Sequence, residues 1–545
     1  MGRNRWADNV GIRAVAGHQG RRNSVKGLLC VLAVVATALT PSMAAGAADV
    51  LPASIRPGGL PARSPGTDLG ATRTKVVSFL VQLRSSAQPT CLETWSRSYG
   101  LALDWTRGQQ WATVRGGVSA VERSFGVAID DYRTPEGQVI YSTTRPAVVP
   151  AGACSEMAGV GAIHSFVAPN LLEVPGKGLT GTELMTAYDA GPLRALGIKG
   201  QHQTAVFLEL DGFKPSDLSS FAHSQHLSPF NVQVVGGNSG KGEETPMDLE
   251  TVHEIAPAAN LVYVNLGGLP GAKTSSVGAL LASAFAMVDQ RWRGAIVSVS
   301  LGFCESGGEF TQSDLVSMDT AVGTAEQNGA TVFASSGDTG GLDCTPANDG
   351  GKPPVNSYVG VGEPAALPQV TGVGGTSLST TSDGAWTGET TWSEPLLSQG
   401  SGGGVSLEFK QPPWQTGVGT GGQLNPNSAR QVPDVAADAD PTTGNLVISG
   451  GSVQQGGGTS LATPIWAGFT ALMDQYLESQ QHPPVGFFNP LLYGLANGSP
   501  AYAPFHDITL GGNDLYPATP GYDMVTGLGS PDVWNLARDL AAGSK

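Results

Sequence analysis

Between residues 178 and 338, short apolar runs alternate with helix-length stretches, and this alternation constrains the fold more than any other feature. The stretch 178–213 gives a helix pair and then a strongly apolar strand ending in VFLELDGF. NLVYVNL (260–266), AIVSVSLG (295–302) and ATVFASSGD (330–338) follow as strands. VGALLASAFAMVDQ (277–290) and SMDTAVGTAEQNG (317–329) read as the helices between them. Apolar strands separated by helices describe βαβ units whose parallel sheet is buried on both faces. Glycine-rich GGTS (374–377), GSGGGVS (400–406) and ISGGSVQQGGGTS (448–460) are each flanked by apolar strands, so they read as ordered loops near a site. Only 14% of the 545 residues are charged, with 76 Gly and 37 Pro, which excludes a coiled coil and a charge-driven disordered chain.

The chain changes character along its length. Residues 1–176 carry 17 Lys and Arg against 11 Asp and Glu, a net +6; the remainder carries 13 against 34, a net −21. The total of −15 argues against a nucleic-acid binder. Arg3, Arg5, Arg13, Arg21 and Arg22 precede the apolar run LLCVLAVVATALT (28–40) and the small residues SMAAGAADV (42–50). This reads as a secretory signal over 1–48, too short in its apolar part to anchor the chain, and the product is expected outside the cell. A Pro-, Gly- and Arg-rich linker follows over 49–75. Residues 76–166 read as a small α+β domain: strands at 76–83, 110–116 and 127–134, and helices at 92–101 and 118–126, the second closed by Gly126. A second linker spans 167–180. Cys91 and Cys154 in the first half, and Cys304 and Cys344 in the second, suggest one disulfide per half, with unpaired buried thiols as the alternative.

Three motifs carry chemistry. GGGTSLATP (456–464) delivers Ser460 at the start of an apolar helix, where a helix N-terminus favours a nucleophile or an oxyanion. Ser460 as an ordinary N-cap is the alternative. The motif alone would suggest a subtilisin, but none of the eight histidines sits in the setting a subtilisin base needs; His253 reads as a partly exposed helical residue. In GEETPMDLETVHEIAPAANL (242–261), Glu244 and Asp248 are four apart and share one helical face, with Glu243 as a rival rotated off it. Pro246 is tolerated in a first turn, and Pro257 ends the segment. Two touching carboxylates cannot both ionise cheaply, so the pair can serve as a general base in acid, where a histidine is protonated. In FASSGDTGG (333–341), Asp338 occupies a turn after an apolar strand, where a protonated acid can donate to an oxyanion.

Together these motifs resemble the sedolisin family, the serine-carboxyl peptidases. The likeness extends over 178–545, through ETPMDLE (244–250), VSVSLGFCE (297–305), SSGDTGG (335–341), VPDVAADADPTTG (432–444), GGGTSLATP (456–464), FHDITLGGND (505–514) and TPGYDMVTGLGSP (519–531). It implies an α/β, subtilisin-like, mostly parallel sheet flanked by helices over 181–545, preceded by a small α+β, ferredoxin-like activation prodomain over 76–166, with maturation cleavage between 167 and 180. It also implies a monomeric endopeptidase that acts on proteins and peptides at acid pH, about 3–5 where carboxyl groups titrate, and is inhibited by its own prodomain. Carried over by position, Ser460 is the nucleophile, Glu244 the base, Asp248 the acid that tunes it, and Asp338 the oxyanion donor. One structural Ca²⁺ is implied at Asp507 and Asp523 and at the carbonyls of Ile508, Thr519 and Gly521, a hard-oxygen set. Leu301 stands where a Trp is frequent in the family, and Thr519 replaces a common Gly and would be strained at positive φ. A secreted, non-catalytic pseudopeptidase on the same fold is the alternative reading.

Overall fold

The computed structural model describes residues 67–543, apart from 86, 106–110, 134–138, 145–146, 148, 151, 161–162, 164–177, 306–309, 342, 344–359, 395–398, 418–427 and 514. The expected signal (1–48) and Cys344 lie outside the described residues.

The N-terminal unit is an antiparallel four-stranded sheet. Its spatial order is Ala102–Asp104, Trp111–Gly117, Val76–Leu83, Met157–Val160. Helices Thr90–Ser98 and Val118–Phe125 follow its first and third strands, which is the βαββαβ order of a ferredoxin-like fold. Val77, Phe79 and Val81 alternate into a core shared with Leu92, Val114 and Val121. Gly126 closes the second helix at φ 64°, the left-handed cap the sequence predicts. Two expectations need correction here. Residues 67–71, read as linker, form a strand paired with Ile129–Arg133; the pairing is long-range and invisible in the local Pro- and Gly-rich composition. Cys91 and Cys154 are both free rather than bridged, although their thiols touch; burial pushes the Cys154 thiol up to about 12. Cys304 is disulfide-bonded.

The second unit is built on a large sheet. Its strands are β1 (Thr204–Glu209), β2 (Val232–Val235), β3 (Asn260–Asn265), β4 (Ile296–Val299), β5 (Thr331–Ser335), β6 (Thr371–Thr380), β7 (Trp386–Thr391) and β8 (Val435–Asp438). The order is β7-β6-β5-β4-β1-β3-β2, with β8 also on β6, and every pairing is parallel except β6 with β7. Successive side chains feed opposite cores. Phe207, Tyr263, Ile296 and Phe333 face helices α2 (Glu244–Ile255) and α5 (Thr459–Ser479). Val206, Val262, Val297 and Val332 face α3 (Val277–Arg291) and α4 (Gln312–Gln327). Both faces are therefore buried, as the unbroken apolar runs require. A hairpin, β9 (Leu446–Ser449) and β10 (Ser452–Gln455), leads into α5, and helix α1 (Pro215–Ser224) lies between β1 and β2 in sequence. The remaining chemistry collects where β1, β4 and β5 end.

Candidate active site

Helix α2 starts with amides that have no partners of their own. Asp211, just beyond β1, supplies them: its Oδ2 accepts from the Glu243 and Glu244 amides at 2.8 and 3.1 Å. Its Oδ1 accepts from the Thr245 amide at 3.2 Å and from the Thr245 hydroxyl. Pro246 has no N–H to satisfy and fits the first turn. Every residue from Glu244 to Ile255 is buried, whereas Glu243 is exposed, which separates Glu244 from its rival.

Three carboxyl groups line up behind this turn. Asp248 Oδ2 accepts from the Ser300 hydroxyl at 2.7 Å, one residue past β4. Glu209, the last residue of β1, comes up against Asp248 without a hydrogen bond in strict geometry, and two buried carboxyl groups this close cannot both ionise cheaply. Burial pushes Asp248 up to about 8, against the pull of the Ser300 hydrogen bond and of Glu209. Glu209 is pushed well above the usual carboxyl range by burial first, then by the charges of Asp248, Asp211 and Glu244. Glu244 is raised by burial and by Asp248, and the Ser460 hydroxyl pulls it partly back. That Ser460 contact is loose: neither Glu244 oxygen has a partner in strict hydrogen-bond geometry.

Ser460 is the second residue of α5. Gly458, at φ 81°, turns the chain into the helix, and a Cβ there would come within 2.6 Å of Asp338 Oδ2. Only glycine meets both demands. Asp338, three residues past β5, accepts the Thr459 amide and hydroxyl on Oδ1, each at 2.8 Å. This leaves its Oδ2 over Gly458, beside Ser460. Burial pushes Asp338 up to about 6, less the effect of the Thr459 bonds. Pro464 lies inside α5 and cannot donate to the Ser460 carbonyl. The Ser300 hydroxyl, 3.2 Å away, faces that carbonyl instead. Ser460, Glu244, Asp248 and Asp338 are thus brought together, from one strand end and two helix starts. Glu209, Asp211, Ser300 and Thr459 join them without having been singled out in the sequence. Ser300 and Glu209 do carry a signal, as polar residues at the ends of apolar strands.

The subtilase family profile matches residues 232–484. Sedolisin from Pseudomonas sp. (strain 101) is 31% identical over 453 residues, 77% of this chain and 73% of that protein. Kumamolisin from Bacillus sp. (strain MN-32) is 31% identical over 475 residues, 81% of this chain and 80% of that protein. The chain belongs to the sedolisin family. It is a serine-type peptidase of that family, and its fold agrees. The solved structure of Pseudomonas sedolisin, a serine-carboxyl proteinase complexed with two molecules of pseudo-iodotyrostatin, aligns at TM-score 0.56 and 29% identity. That alignment covers 68% of this chain and 99% of the solved one.

Within this sedolisin-family chain, Leu301 is buried among the apolar residues on the α3 and α4 face. It takes no part in the polar chain behind Glu244, which Glu209 and Ser300 build instead. His253 is stacked on Phe230 at 4.0 Å, and its Nε2 bonds to the Ser228 carbonyl at 2.8 Å. Burial lowers its pKa. It is a packed helical residue. At the C-terminal loop, Asp523 is fully buried and Asp507 exposed. Both reach the same turn: Asp507 Oδ2 accepts the Gly521 amide and Asp523 Oδ2 accepts the Thr519 amide, each at 3.0 Å. Thr519 is not among the positive-φ residues, so it carries no strain. Asp523 Oδ1 takes the Val525 and Thr526 amides and the Thr526 hydroxyl. The set that the resemblance implies, two carboxylates and three backbone carbonyls, is all oxygen and would suit a hard divalent cation.

Proposed function

We propose that this sedolisin-family peptidase is a secreted, acid-acting endopeptidase made as a self-processing zymogen, with Ser460, Glu244, Asp248 and Asp338 as its catalytic groups. The observation that carries the reading is the convergence of a serine at a helix start with a buried chain of carboxyl groups and, among the described residues, no histidine in contact with it. Ser460 Oγ attacks the peptide carbonyl while its proton passes to Glu244. Burial and the Asp248 charge oppose ionisation of Glu244, and a proton held by the neighbouring Asp248 and Glu209 removes the second of these influences. Asp338, protonated below about 6, donates from Oδ2 to the oxyanion. Glu244 then returns the proton to the leaving amine, and water hydrolyses the acyl-enzyme by the same path. A positioned base contributes about 10²–10⁴ in rate, and an oxyanion donor about 10²–10³.

A single Ca²⁺ is proposed at Asp507, Asp523 and the carbonyls of Ile508, Thr519 and Gly521. Its chemistry there is charge: it would offset the negative charge of the buried Asp523 carboxylate, whose present partners are amides and a hydroxyl. The 76–166 unit is proposed as the prodomain, and the signal at 1–48 as the export address; among the described residues no helix is long and apolar enough to cross a membrane. Digestion of casein at pH 4 tests the assignment. The wild-type chain cleaves it and Ser460→Ala does not; full activity in Ser460→Ala would overturn the reading.

A further inference from the structure

Helix α2 carries acids on more than one side. Glu244 and Asp248 face Ser460. Glu250 and Glu254, also four apart, meet the β9–β10 region. Glu250 Oε2 accepts the Ile448 amide at 2.7 Å, and Glu254 Oε1 accepts the Asn445 side-chain amide at 2.6 Å. Asn445 in turn fixes the loop that ends at Ser460: its carbonyl accepts the Gly456 amide at 2.8 Å. Gly456 rests on Met247 of α2, where a Cβ would meet Sδ at 3.0 Å. Two residues on, the Gly458 amide donates to the Ala439 carbonyl. A third strand-like segment completes the assembly. Leu179 pairs with Asn445, donates to the Gly444 carbonyl and accepts from the Leu446 amide. Gly181 lies so close to Glu254 that a Cβ would sit 2.8 Å from Oε2.

We propose that Glu250 and Glu254 are positioning residues for Ser460: from α2 they clamp the hairpin and the Leu179–Gly181 segment that together hold the 456–460 loop. The proposal rests on the reading of Ser460 as nucleophile. One helix then fixes the proton acceptor directly and the nucleophile loop through this clamp.

The clamp is suited to neutral carboxyl groups. Both side chains are buried, and Glu250 Oε1 and Glu254 Oε2 have no hydrogen-bond partner. Burial raises both, Glu250 to about 9. The charged groups facing Glu250 are Glu254 and, from α1, Asp217. His223 of α1 points to solvent, and His253 is held at Phe230 and Ser228. From β1, Glu209 is taken by Asp248, and from the helix at Gly181–Ala187, Glu183 is taken by Thr180. The part of α5 packed here, Thr459–Met473, and β9 contain no ionisable residue. Arg194 is held by the Ile255 carbonyl at 2.9 Å, and among the described residues no cation acts on either carboxyl group, so rising pH places uncompensated charge in the clamp.

The test uses the full chain, activated at pH 4, with Glu250→Gln, Glu250→Leu and Asn445→Ala. Amide hydrogen exchange at 445–460 is followed alongside kcat and KM, with melting to confirm folding. The expected result for Glu250→Leu and Asn445→Ala is faster exchange at 445–460 and a kcat lower by about 10²-fold, the scale of an ångström-level misplacement, with KM within about twofold. Glu250→Gln, which keeps the acceptor and cannot ionise, keeps wild-type kcat and loses activity more slowly during incubation at pH 7.5. Unchanged exchange in folded Glu250→Leu and Asn445→Ala overturns the clamp. Faster exchange with unchanged kcat overturns positioning. Full activity in Ser460→Ala would instead sink the nucleophile reading, and leave the exchange result standing by itself.

Discussion

Ser300 touches both halves of the site, the Asp248 carboxylate and the carbonyl that Pro464 leaves without a helical donor. Ser300→Ala removes the one hydroxyl proton available to these two buried acceptors, a loss of about 1–3 kcal/mol for the group left unsatisfied. We expect denaturant unfolding at pH 4 to show a lower midpoint with an unchanged slope, and kcat to fall because Asp248 no longer keeps its place beside Glu244. Glu244→Gln removes the proton acceptor but keeps the shape; kcat/KM on a peptide should fall by about 10²–10⁴ with little change in melting temperature. Asp338→Asn keeps an amide that can donate but does not titrate. Its activity should be lower, and the loss of activity that wild type shows as pH rises through about 6 should disappear from its pH profile.

The helices show what a chain can and cannot declare locally. The spacing of Glu244 and Asp248 is enough to place them on one turn, and Pro246 and Pro257 mark its ends. Ser460 could be read at a helix start because GGG precedes an apolar run. The partners that complete the site come from elsewhere in the sequence. Asp211 caps α2 from beyond β1 with no local pattern that singles it out, and Glu209, marked only as a polar residue ending an apolar strand, meets Asp248 of α2 from the sheet. The same holds for the strand at Thr67–Ala71, whose partner is supplied by Ile129–Arg133. Cys91 and Cys154 were paired by counting, and their contact is real, but the bond is not formed. The C-terminal turn gives a prediction of its own. Removing calcium with a chelator at pH 5 should lower the melting temperature of wild type, and Asp523→Asn should abolish that response. A melting curve insensitive to chelator would remove the ion from the account.

Across the whole molecule, buried carboxyl groups are far more prominent than buried cations. Arg430 with Asp434 forms a buried ion pair. Burial alone is the largest influence on Asp248, Asp438, Glu250 and Glu326, which are pushed up to about 8, 8, 9 and 10. In the unfolded chain these groups ionise near the ordinary carboxyl values, about 4. Between there and their folded values the folded state holds more protons, so stability falls as pH rises. The stabilisation is fully present below about 4 and is lost progressively toward pH 8–10. Thermal unfolding should therefore shift to lower temperature between pH 5 and pH 8, the reverse of an ordinary acid-sensitive protein; a rising midpoint would contradict this.

In the proposed mechanism a carboxyl chain, not a histidine, activates Ser460. The pH dependence of kcat/KM on one peptide substrate tests it most directly. The account predicts a maximum in acid and a decline centred near pH 6, where Asp338 gives up its proton. A rate that rises through pH 7 and holds on a plateau above it, as a neutral imidazole base would give, would contradict it.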